Sequence, residues 1–217
     1  MANLWALGDS FVYGEDVEIN ETFSYYIAQD LGLNLINLGR PGASNNFIVQ
    51  NTCRQSIFYQ KDDFILVALT TPHRNEHKFS YNKMRDFADT GRFTLNSLCK
   101  HIKKIEDCLE GFNYIITQAF NPVFGYDYKL EPYIEPKKFV EWGKPNNTII
   151  DIISHNWLAD NTHHLFMDEN ETLYRDKGTF RDNFAKNFKH PSAKGHRLVA
   201  DKLLEYINYD NTNRRNK

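Results

Sequence analysis

The chain has 217 residues, 41% of them apolar and 25% charged, with a formal net charge of −2. That length and composition suit one globular α/β domain with a sizeable core. Acidic and basic residues are spread along the chain, so no clustered basic surface marks a nucleic-acid partner, and no run of about 18 apolar residues marks a membrane span.

Residues 4–7, Leu-Trp-Ala-Leu, form a short apolar run that stops at Gly8-Asp9-Ser10. The run predicts a buried first strand. It does not read as a signal peptide, and a cytoplasmic location is expected. Between Thr22 and Gly32, apolar residues recur at Phe23, Tyr26, Ile27 and Leu31. That spacing predicts a helix with a glycine stop. Residues 33–38 predict a second strand, followed by the turn Gly39-Arg40-Pro41-Gly42. Residues 47–59 predict a helix, with Val49, Cys53 and Ile57 on one stripe.

Residues 64–69 are apolar throughout, the pattern of a strand covered on both faces. Leu95, Leu98, Ile102, Ile105 and Leu109 then repeat at helical spacing up to Gly111. A fourth strand follows at residues 114–117 and a helix at 148–158. A short fifth strand is predicted at 165–167 and a closing helix at 192–206. This alternation implies a parallel five-stranded sheet with helices on both faces. It predicts one domain over residues 1–208, with an Asn-rich flexible tail at 209–217.

Two long stretches, residues 72–92 and 119–145, interrupt the alternation. Each follows the carboxyl end of a strand, where open α/β sheets bind ligands. The aromatics between Phe120 and Trp142 either wall a substrate site or pack the excursion onto the body. The cysteines, Cys53, Cys99 and Cys108, are odd in number and irregular in spacing, unlike a disulfide framework. Cys99 and Cys108 share a predicted helix and lie about 13 Å apart at ~1.5 Å per residue. Buried, inert thiols are the expectation.

Ser10 follows the carboxyl end of the first strand. A serine hydroxyl needs a base to take its proton, and the base must reach the same sheet edge. His190 enters the last helix in His190-Pro191-Ser192-Ala193-Lys194-Gly195-His196, which brings it to that edge. The N–H groups of Ser10 and Gly42 are candidate donors to an oxyanion. His73, His77, His163 and His164 lack the spacing of a three-ligand metal set. No G-x-G-x-x-G follows a strand. No metal or organic cofactor is expected. His196 reads as structural, and Asp9 as an organiser of the Gly8-Asp9-Ser10 turn.

Three blocks together resemble the SGNH (GDSL-type) hydrolases. They are Gly8-Asp9-Ser10-x-x-x-Gly14, Asn37-Leu38-Gly39-Arg40-Pro41-Gly42 and His190-Pro191-Ser192-x-x-Gly195-His196. The resemblance spans nearly the whole chain. It implies a flavodoxin-like α/β/α sandwich and hydrolysis of carboxylic esters, often acetyl groups on carbohydrate. Ser10 would be the nucleophile and His190 the base, with Ser10 and Gly42 N–H groups in the oxyanion hole. The implied partner is a small-molecule or carbohydrate ester.

Two positions depart from the family pattern. The family's Asn after the third strand is replaced by Pro72, which can donate nothing. Thr70, Thr71, Arg74 or Asn75 are the candidate substitutes. The family's Asp three residues before the histidine is Asn187 here. Asn187, Asp182 or a backbone carbonyl could therefore orient His190. Two function classes follow: an esterase working through an acyl-Ser10 intermediate, or a binding or structural module on the same scaffold, conceivably virion-associated.

Overall fold

Alternation along the strands sorts the apolar residues into two cores, one on each face of a parallel sheet. The computed structural model describes residues 1–70, 88–119, 148–153, 181–185 and 190–215. Within them lie β1 (Asn3–Leu7), β2 (Asn34–Asn37), β3 (Phe64–Leu69) and β4 (Asn113–Gln118), in the order β2-β1-β3-β4. All pairings are parallel, with Leu4 opposite Leu35 on one side and Phe64 on the other. The helices are α1 (Ser10–Tyr13), α2 (Phe23–Leu31), α3 (Asn45–Gln55), α4 (Ala88–Cys108), α5 (Ile149–Ile153) and α6 (Ala193–Arg215).

Leu4, Ala6, Leu66, Ala68 and Ile115 face α2, α5 and α6, whose Phe23, Ile27, Ile149, Ile153, Val199 and Leu203 complete that core. Leu7, Ile65, Val67, Leu69 and Ile116 face α3 and α4, meeting Ile48, Val49, Leu98, Ile102 and Ile105. The arrangement is the three-layer α/β/α sandwich expected from the sequence. Four strands lie among the described residues; residues 165–167, expected as a fifth, lie outside them. The chain leaves β1 toward β2 on one side, while β3 and β4 build outward on the other. That reversal puts a crevice at the carboxyl ends of β1 and β3, where such sheets bind ligands.

Four boundaries differ from expectation. Helix α4 already begins at Ala88, inside the stretch 72–92 expected to be irregular. Helix α3 starts at Asn45 because the Ser44 hydroxyl accepts the Phe47 N–H, capping the helix earlier than its apolar stripe suggests. It stops at Gln55, and residues Ser56–Phe58 tighten into a 3₁₀ turn. Helix α6 runs to Arg215, so most of the segment expected to be a flexible tail from residue 209 is helical.

The cysteines also require a correction. Cys53 on α3 and Cys108 at the end of α4 form a disulfide, and only Cys99 remains a buried thiol. Packing of α3 beside α4 brings the two together, and residue spacing carries no trace of that. The bridge closes a loop with a sequence separation of 55, for which chain entropy stabilises the fold by about 4 kcal/mol. Reduction is expected to lower the melting temperature by roughly 10 °C. Calorimetry with and without a phosphine reductant measures this, and an unchanged transition would contradict it.

His196 is structural, as expected. It is fully buried on α6, stacks on Phe23 and accepts the Phe23 N–H at 3.2 Å through Nδ1. It thereby caps the first turn of α2 from another helix. Its Nε2 finds no partner among the described residues. Burial, with a smaller contribution from nearby His190, pushes its pKa down to about 3. The unfolded chain therefore binds a proton that the folded chain refuses. Stability is full above about pH 6.5 and falls as pH drops toward 3, on the order of 1.4 kcal/mol per pH unit. Urea titrations across that range should show the slope, and His196→Gln should flatten it.

Candidate active site

Ser10 stands at the start of α1, three residues past the end of β1, and is 2% exposed. Asp9 caps that helix. Its Oδ1 accepts the Phe11 N–H at 3.0 Å, and its Oδ2 accepts the Thr70 hydroxyl at 2.6 Å. Asp9 thus organises the turn and ties it to the end of β3. Gly8 has no room for a side chain: a Cβ there would lie 2.3 Å from Val12 Cγ2 and 3.0 Å from the Ala68 carbonyl oxygen. That close approach lets the Ser10 turn sit between β1 and β3.

The turn after β2 packs against the far end of α1. Asn37 organises it, donating from Nδ2 to the Val12 carbonyl at 2.7 Å and accepting the Gly39 N–H at 2.9 Å. The Arg40 N–H donates to the Gly8 carbonyl at 3.0 Å. Gly42 follows with φ +73, and a Cβ added there would meet nothing within 4 Å among the described residues. Among those residues neither the Gly42 N–H nor the Ser10 N–H is used in a hydrogen bond, so both are available as donors. The Arg40 guanidinium lies over the Phe47 ring at 4.6 Å.

Thr70, expected as a substitute oxyanion donor, is committed elsewhere. Its hydroxyl goes to Asp9, and its N–H goes to Asn45 Oδ1 at 2.8 Å. Asn45 returns a bond from Nδ2 to the Thr70 carbonyl at 3.1 Å. Thr70 therefore braces β3 against the amino end of α3 and the Ser10 turn. Both of its protons are spent, which is why it does not serve as the third donor in this structure. Thr71, Pro72, Arg74 and Asn75 lie outside the described residues, as does the aromatic stretch from Phe120 to Trp142.

His190 reaches the Ser10 loop from the far end of the chain. Its carbonyl accepts the Ala185 N–H, and a bridge pairs Phe184 with Pro191. The helix that follows is capped by Ser192, whose hydroxyl accepts the Gly195 N–H. Gly195 lies so close to the Asn183 carbonyl that a Cβ would overlap it at 2.0 Å. The His190 ring meets Phe11 edge-on, with centroids 5.7 Å apart. No hydrogen bond joins Ser10 Oγ to His190 in this structure.

The ring's polar partners are not those expected. His190 Nδ1 lies 2.8 Å from Asp16 Oδ2, and Nε2 lies 3.4 Å from Glu15 Oε2. Asp182 is elsewhere: its exposed carboxylate is 3.9 Å from Lys194 Nζ. Its place in a 3₁₀ turn, Arg181–Asn183, directs it to that helix instead. Asn187 lies outside the described residues. Sequence reasoning missed Glu15, Asp16 and Asn45. The available signal was a pair of acids directly after Gly14, in the loop that follows Ser10.

No protein-family model matches the chain, and no curated protein matches it in sequence. Solved structures do share its fold. One is a protein assigned to the G-D-S-L lipolytic family from Desulfitobacterium hafniense DCB-2, at 12% identity and a TM-score of 0.54. The match covers 95% of this chain and 99% of that one. Another is described as an alpha/beta hydrolase enzyme from the metagenome of Lake Arreo, Spain, at 13% identity and a TM-score of 0.51. It covers 95% of each chain.

Proposed function

We propose that this chain is a serine hydrolase that cleaves carboxylic esters, with short-acyl or O-acetyl esters as the substrate class. The observation that carries the reading is that His190 packs against the turn that Ser10 opens. Ser10 heads α1 at the carboxyl end of β1. His190 is brought into ring contact with Phe11, the next residue after the serine. A fold shared with a G-D-S-L lipolytic protein supports it.

In this reading Ser10 Oγ attacks the ester carbonyl while His190 takes the hydroxyl proton. The N–H groups of Ser10 and Gly42 stabilise the oxyanion. Collapse expels the alcohol, which leaves with the proton held by His190. Water then attacks the acyl-Ser10 ester, again deprotonated by His190, and releases the acid. Only two oxyanion donors lie among the described residues, and a missing third typically costs ~10²–10³ in rate.

The commitment of Thr70 favours one second reading: a binding or structural module on the same scaffold, without turnover. Labelling with a fluorophosphonate separates the two. Stoichiometric modification at Ser10, together with hydrolysis of p-nitrophenyl acetate that disappears in Ser10→Ala, is the expected result. Equal behaviour of wild type and Ser10→Ala would refute the hydrolase.

A further inference from the structure

We infer that Asp16 is the positioning acid of this site, holding His190 in the tautomer and orientation that a base for Ser10 needs. The inference rests on the hydrolase reading above and deepens it. It relocates the acid from the segment just before the histidine to the loop just after the nucleophile.

The hydrogen bond comes first. Asp16 Oδ2 lies 2.8 Å from His190 Nδ1, within the range of a charge-assisted bond. The neighbouring Glu15 carboxylate approaches the other nitrogen at 3.4 Å, outside it. A carboxylate only accepts, so the proton of this bond sits on Nδ1. In the neutral ring the lone pair is then on Nε2, the nitrogen that a serine base must use.

The backbone provides a second argument. Asp16 is the only non-glycine residue with positive φ, at 75°, among the described residues. Glycine would be relaxed there, whereas a side chain costs about 1 kcal/mol or more. Aspartate and asparagine tolerate the conformation best among the alternatives. A side chain kept at such a cost points to a use for that side chain.

The connection to Ser10 is a third. The N–H groups of Gly14 and Glu15 both donate to the Ser10 carbonyl, at 3.0 and 3.1 Å. The peptide that carries the nucleophile thus anchors the turn that carries the acid. Nucleophile and acid lie within one short segment, and His190 is the only member delivered from a distance. Its ring is 13% exposed, and Asp16 is 36% exposed, so the pair is partly shielded from water.

Substitution at Asp16 separates positioning from structure. Asp16→Asn keeps the shape and tolerates the backbone. It is expected to lower kcat for p-nitrophenyl acetate by roughly 10²–10⁴-fold with KM little changed. Asp16→Glu should restore part of the loss. Asp16→Gly should lose kcat equally while its melting temperature holds or rises. A downfield exchangeable resonance from the His190 Nδ1 proton should be present in wild type and absent in Asp16→Gly.

A kcat for Asp16→Asn within about threefold of wild type overturns the inference. So does an equal loss in Glu15→Gln, which would make local charge the cause, or a loss in Asn187→Ala with Asp16→Asn intact. Wild type and Ser10→Ala that are alike in turnover and labelling would sink the hydrolase reading and this inference with it. Loss in Ser10→Ala with Asp16→Asn unaffected would sink this inference alone.

Discussion

Ser10→Ala is expected to slow aryl acetate hydrolysis by roughly 10⁴–10⁶-fold, His190→Ala by a similar factor, and the double replacement by no more than either alone. The reason is that the two groups act in one step. A serine without a base keeps its proton, and a base without a serine has nothing to activate. Whichever is removed first forfeits the contribution of the other. The oxyanion donors survive all three variants because they are backbone N–H groups of residues 10 and 42. A residual acceleration over water, on the order of 10³, should therefore be common to all of them. Measured kcat/KM values for the three variants decide the matter. Losses that multiply would mean that Ser10 and His190 contribute independently, and the packing of His190 against the Ser10 turn would then need another explanation.

Gly39→Ala is expected to cost about 3 kcal/mol or more of stability and to lose Ser10 labelling in whatever protein still folds. An added Cβ would lie 2.3 Å from the Tyr13 nitrogen, 2.7 Å from the Tyr13 Cα and 2.7 Å from the Val12 carbonyl carbon. All three are backbone atoms of α1, so no rotamer change can relieve the overlap. Nor can α1 easily retreat, because Phe11 and Val12 are buried and Gly8 is already in close contact with the Val12 side chain. The strain falls on the helix that carries Ser10. Gly42→Ala makes the contrast: its Cβ meets nothing within 4 Å among the described residues, and the cost from them is that of the left-handed backbone, about 1–2 kcal/mol. Urea denaturation of the two variants should rank them in that order. A Gly39→Ala protein as stable as Gly42→Ala would mean that α1 and the β2 turn are not packed as described.

The layers of the fold were legible because their signals are local. β3 is apolar at every position and α4 repeats at helical spacing, so each announces its own type and burial. The blocks around Ser10, Gly42 and His190 stood out for a related reason: their glycines mark close approach or a left-handed turn. The partner of His190 did not. Asp16 is 174 residues away in sequence, and nothing in the local pattern of either segment names the other. Thr70 was a candidate donor by its place after β3, whereas the fold turns its hydroxyl to Asp9. The pairing of Cys53 with Cys108 was hidden in the same way, since it depends on how α3 lies against α4.

That pairing makes the region between α3 and α4 a covalent ring with β3 inside it. A peptide bond cut between β3 and α4 would leave two fragments that still migrate as one species until a reductant is added. The bridge therefore keeps β3, the strand that braces the Ser10 turn, covalently fastened to both helices even after a cut within the ring.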